Sequence, residues 1–284
     1  MSGQMSAANS LTCSMEQVFQ TTEKYPAICS VDLAAPEDAD SANHLIDEAI
    51  QESAAGSIVS LQWLPQNPAN VGQAANPTAD HDNRSPPLTD FEWKELIMPG
   101  TQLYRRWSDQ VDKLAIELRK LQDKNIAILW TPYPDPNGKQ YWWAGHAGIH
   151  GSAALYRMLF DRLVKNNGIH NLIWVWRVVP GGFGPGGNGS YTDFFPGFLY
   201  VDALELSVSR NQPRFRSDIF LQGFAVGKAI GLAIDGPLPD PAFFARETNW
   251  TWFLLAPLSS AAANDAITSQ ALRTLYGDHR ILTR

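Results

Sequence analysis

His146 and His150 stand four residues apart, the spacing at which two imidazoles share one helical face and can hold a metal ion. No acidic residue completes an H-E-x-x-H arrangement, so the pair reads as a loop or capping feature and no metal is expected. The run Pro180–Ser190 is rich in glycine but lacks the Gly-Lys-Ser/Thr ending that brings a lysine and a hydroxyl to a phosphate. It reads as a strand-to-helix connection. No Gly-x-Ser-x-Gly elbow raises a serine nucleophile. Cys13 and Cys29 have no C-x-x-C spacing and form no disulfide framework; a bridge between the two stays open. Asn188-Gly189-Ser190 and Asn249-Trp250-Thr251 match the N-glycosylation acceptor, which matters only in a chain exported by a eukaryote. No motif calls for a cofactor.

Composition narrows the ligand. A net charge of −7 without a lysine/arginine cluster leaves no footprint for a phosphate backbone, so nucleic acid is not an expected partner. Hydrophobic residues make up 44% and charged residues 18%, with 10 Trp and 13 Phe, which gives a large core and rings to spare for a neutral ligand. No apolar run approaches the roughly 20 residues that span a bilayer, and no charged-then-apolar leader is present, so no membrane partner is expected. Oligomeric state is not written in the sequence.

The elements that must position any site alternate between short apolar runs and longer helical periods, the pattern of βα units on a parallel sheet. Seven strands are predicted: Ala27–Leu33, Ser57–Trp63, Ile126–Tyr133, Asn171–Val178, Val201–Ser207, Ala229–Ile234 and Trp250–Leu255. Leu103, Trp107, Val111, Leu114, Leu118 and Leu121 recur at three- and four-residue steps and predict a helix over Gln102–Asp123, with Thr101 as its N-cap. Further helices are expected at Ser41–Glu52, Ala153–Lys165, Phe215–Val226 and Asn264–Leu275.

At 284 residues the chain has the length of one (β/α)₈ barrel, a single domain over 1–284. Seven strands do not close such a barrel. The eighth must come from Met1–Gln4, a truncated first strand. Either the natural product begins upstream, with a leader that would make it secreted or periplasmic, or a stub completes the barrel. The long loops Pro65–Leu88 and Pro180–Ser190 fall at the strands' C-terminal ends, where barrel enzymes place their sites.

The stretch Pro132-Tyr133-Pro134-Asp135-Pro136-Asn137-Gly138 through Tyr141-Trp142-Trp143 resembles a segment of glycoside hydrolase family 26, the β-mannanase family: Arg-Pro-Phe/Tyr-His-Glu-Met-Asn-Gly, then Trp-Phe-Trp-Trp. Ser2-Gly3-Gln4, Tyr25-Pro26-Ala27 with Asp32, Ile58-Val59-Ser60 through Trp63, Asn171 to Trp176, Pro196-Gly197 with Tyr200-Val201-Asp202, and Gly227-Lys228 with Gly236 extend the likeness over nearly the whole chain. The resemblance implies a (β/α)₈ barrel and a β-linked polysaccharide or oligosaccharide as ligand.

It also implies a retaining pair of glutamates at the ends of the fourth and seventh strands, about 5–5.5 Å apart. Asp135 stands at the acid/base position, one methylene shorter. Ile234 stands at the nucleophile position. Lys228 to Gly236 matches the family's length, and a one-residue shift would turn a strand side chain to the other face, which argues against Asp235 as a displaced nucleophile. Glu205, on the sixth strand, is the other spare carboxylate and reads chiefly as a structural partner. The family's orienting residues are also replaced, by Pro134, Leu64, Thr131, Ser207, Ser209 and Gln140. Trp142, Trp143, Trp174 and Trp176 keep the family's aromatic frame, and Trp143, Trp176, Trp142, Asn137 and Trp63 are the candidate sugar contacts, although alternation sends about half of such rings into a core.

Two expectations follow. One is a non-hydrolytic or weakly active β-glycan-binding barrel, or a scaffold for another protein. The other is a working retaining glycosidase that uses Asp135 with Asp235 or Glu205.

Overall fold

The computed structural model describes residues 1–6, 12–34, 39–70, 86–181, 190–209, 221, 223, 225–257 and 266–284. Eight parallel strands close a barrel in chain order: β1 (Ser2–Ser6), β2 (Ile28–Ala34), β3 (Ile58–Leu64), β4 (Ile128–Pro132), β5 (Leu172–Val178), β6 (Ala203–Ser209), β7 (Ala229–Asp235) and β8 (Trp250–Leu255). The strand expected in Met1–Gln4 runs on to Ser6. It pairs with β2 through Gly3↔Ile28 and with β8 through Gly3↔Leu254, so the barrel is sealed at this edge.

Helices α1 (Thr12–Thr22), α2 (Ala39–Ala54), α3 (Asp90–Ile97), α4 (Gln102–Asp123), α5 (Ser152–Phe160), α6 (Pro241–Arg246) and α7 (Ala266–Gly277) surround it. The helix predicted at Gln102–Asp123 has the expected bounds, and Thr101 accepts a bond from Tyr104 N at its start. All six residues of the predicted stripe, Leu103 to Leu121, are buried, together with Ser108 and Ala115. The helix expected at Ala153–Lys165 divides: α5 ends at Phe160 and Asp161–Asn166 continues as a π-helical turn. Most of the helix expected at Phe215–Val226 lies outside the described residues, as do 71–85 and 182–189 of the two long loops. Among the described residues three helices were not predicted: α1, α3 and α6. A complete capping box starts α3, Thr89 with Glu92.

Strand alternation creates two cores. Ile28, Leu129, Val175, Ala203, Trp252 and Leu254, with Met5, Ile58 and Ala229 against them, fill the barrel's inside. Their chain neighbours, among them Cys29, Val31, Val59, Leu61, Trp130, Trp174, Trp176, Leu204, Leu232 and Phe253, pack outward against the helices. Gly231 shows why the inner layer is tight. A Cβ there would sit 2.1 Å from the Trp252 ring, so only glycine fits beneath that indole. Cys29 is free and buried, and burial pushes its thiol pKa up to about 12.

Candidate functional site at the barrel mouth

Asp135 follows β4 and is partly exposed. Its φ of 56° and Tyr133's 48° are left-handed, a region that costs ordinary side chains roughly 1–2 kcal/mol. The neighbourhood holds them there. Asp135 N donates to Arg177 O at 3.1 Å, and Gly138 N closes a turn on Asp135 O at 2.8 Å. Asn137 clasps the next strand's end twice, donating to Val179 O and accepting from Val179 N. With its side chain 2% exposed, Asn137 fixes the turn that carries Asp135.

Beneath Asp135 lies a polar bar across the barrel. Arg177 donates through Nε to Glu205 Oε2 and through Nη1 to Gln62; Gln62 in turn donates to Asp32 at 2.9 Å. The second oxygen of Glu205 accepts Trp252 Nε1 at 2.8 Å. Arg177 is 5% and Glu205 1% exposed, so the pair is buried but saturated. Burial works against the guanidinium's charge, yet the attraction of Glu205, Asp135 and Asp32 outweighs it and raises its pKa. Glu205 is thus the buried partner of both Arg177 and Trp252.

The sequence could have revealed this pair. Arg177 and Glu205 are each the lone charge in an apolar strand, and a buried charge demands a partner.

At the seventh strand the structure reverses the expected sides. Gly231 faces inward under Trp252, and Ala233 pairs with the inward Leu254. The next inward position is therefore Asp235, which is exposed at the mouth. Ile234 turns outward into the helix-facing core at 2% exposure. The objection that a one-residue shift would send Asp235 to the wrong face does not hold, because this strand already directs position 235 inward.

The aromatic frame is buried. Trp63 packs beside Trp130 and Tyr133, Trp176 meets Tyr191 and Phe195, and both belong to the helix-facing layer. Trp143 stacks on Tyr141 at 4.4 Å and donates to Pro134 O; Trp142 donates to Pro65 O. All four rings are 0–2% exposed, so none offers a face to a sugar in this conformation. Leu64 and Thr131 are also 2% exposed, whereas Gln140 is exposed and the Ser209 side chain lies outside the described residues.

His146 and His150 lie in the loop between β4 and α5 rather than on a helix. Among the described residues no three His, Cys, Asp or Glu side chains are grouped to hold a metal, and no helix is long and apolar enough to cross a membrane.

A closed barrel of eight parallel strands is the (β/α)₈ architecture, and carboxylates at its C-terminal mouth are groups that glycoside hydrolysis employs. The family model for glycosyl hydrolase family 26 matches residues 1–284, and the chain belongs to that family. It is 31% identical over 283 residues to a mannan endo-1,4-beta-mannosidase of Thermothelomyces thermophilus, covering 94% of this chain and 55% of that protein. A mannan endo-1,4-beta-mannosidase of Bacillus subtilis is 26% identical over 203 residues, 67% of this chain and 52% of its own length. The chain thus spans about half the length of these relatives. Among solved structures, GH26A from a Muricauda species superposes with a TM-score of 0.89 at 30% identity, covering 100% of this chain and 90% of the other. The GH26-CBM35 β-(1,4)-mannanase of Podospora anserina gives 0.78 at 25%, covering 99% and 62%.

Proposed function

We propose that this barrel engages a β-1,4-linked mannan-type glycan at its C-terminal mouth and hydrolyses it weakly or not at all. The ligand class is suggested by the relatives named mannan endo-1,4-beta-mannosidase. The observation that carries the loss of chemistry is Ile234, an alkyl side chain in the helix-facing core at the nucleophile position implied by the family resemblance. Without a nucleophile the covalent route is closed. A shortened acid at Asp135 retains only part of a contribution worth roughly 10²–10⁴ in rate. Pro134 and Thr131 beside it supply no imidazole or guanidinium to orient a sugar.

One observation favours a second reading. Asp235 is exposed at the end of β7, in inward alternation with Gly231 and Ala233, and Asp135 follows β4 at the same end of the barrel. Such a pair could run a retaining reaction if substrate brought the carboxyls to about 5–5.5 Å. Titrating the protein with mannohexaose, followed by product analysis on the unsubstituted chain and on Asp135→Asn and Asp235→Asn, separates these readings. Saturable binding with negligible products supports the first. Products abolished by either substitution establish the second, and absence of binding removes mannan as the ligand.

A further inference from the structure

We infer that His146 is a pH-responsive latch that holds the loop between β4 and α5 onto α3. Three contacts make this junction. The His146 ring stacks on Trp93 of α3, with centroids 3.8 Å apart and planes 14° from parallel. Trp93 Nε1 donates to His150 O at 2.8 Å, and Leu88 N, just before α3, donates to Trp142 O at 3.1 Å.

The same loop carries Asp135 near its start, and the contacts lead back towards it. The His146 carbonyl accepts from Ser152 N and Oγ, Ser152 Oγ donates to Trp143 O, and Trp143 Nε1 donates to Pro134 O. A change at His146 therefore reaches the residue beside the candidate acid through bonded neighbours.

The ring is set up to discriminate its protonation states. Its Nε2 is buried and has no hydrogen-bond partner among the described residues. A neutral imidazole with its proton on Nδ1 tolerates this, but an imidazolium must bury a charged N–H without an acceptor. Stacking on Trp93 partly offsets that cost through cation–π attraction. Among the described residues the charged group acting on the ring is Asp90 in the first turn of α3; from the loop, His150 contributes its backbone carbonyl to Trp93. Burial, opposed by Asp90, lowers the pKa of His146 below 6.5. The folded state then takes up fewer protons than the unfolded one, so the latch is fully present above pH 6.5 and weakens as pH falls through the lowered value.

The test follows the indole N–H of Trp93 in the full chain by ¹⁵N-resolved NMR, its cross-peak identified by its loss in Trp93→Phe. Between pH 7.5 and 5 the expected result is a shift of this peak with a midpoint below the ordinary histidine value, abolished in His146→Phe, which keeps a stacking ring that cannot titrate. A midpoint at or above the ordinary value, no shift, or a shift that persists in His146→Phe overturns the proposal. Should His146→Phe fail to fold, the imidazole resonance of His146 in the unsubstituted protein, identified by its proximity to Trp93, reads the same midpoint.

Discussion

Arg177 and Glu205 face each other across adjacent strands with nearly all their surface buried, and each is saturated by a second partner, Gln62 or Trp252. Removing one charge leaves the other buried and unpaired. Glu205→Gln should therefore destabilise the fold by about 3–5 kcal/mol in a urea or guanidinium titration. Replacing both, as Arg177→Met with Glu205→Leu, should recover much of that loss. A Glu205→Gln variant as stable as the parent would show that the bar does not carry a charge pair. The lone charge in each apolar strand was visible in the sequence, whereas the pairing required knowing that both residues face inward.

The strand is the scale at which the site was most easily misread. Strand positions in β7 were predicted within one residue, yet which of Ile234 and Asp235 faces the axis was not fixed by hydrophobicity, because Ala229, Gly231 and Ala233 leave the inner face nearly unmarked. The marker is Gly231, which must be small because Trp252 covers it.

Two predictions follow from this assignment. Gly231→Ala should cost about 1–3 kcal/mol or more by overpacking, measured by thermal or denaturant unfolding. Ile234→Glu should destabilise the protein by burying an unpaired carboxyl rather than restore turnover. Restored hydrolysis in a stable Ile234→Glu protein would place residue 234 at the mouth after all. The capping box at Thr89 and Glu92 was legible four residues ahead of Trp93, but the short α3 sat next to a long Asn/Ala/Pro-rich loop that hid its periodicity.

Across the whole molecule the sequence disclosed shape better than chemistry. Alternating strand and helix signals, the length of 284 residues and the spaced segments shared with family 26 all converge on the closed barrel that is observed. Tryptophan identity could not say whether a ring faces a ligand or a neighbour. Trp63 and Trp176 lie on the strand face that meets the helices, and Trp142 and Trp143 are consumed by loop packing against Pro65 and Pro134. The central claim, a family 26 barrel with degraded hydrolysis, is tested most directly by the rate of product release from mannohexaose, measured beside the Thermothelomyces thermophilus mannan endo-1,4-beta-mannosidase under the same conditions. The account predicts a rate lower by roughly 10²-fold or more. A rate within about tenfold of that enzyme's, lost in Asp135→Asn, would contradict it.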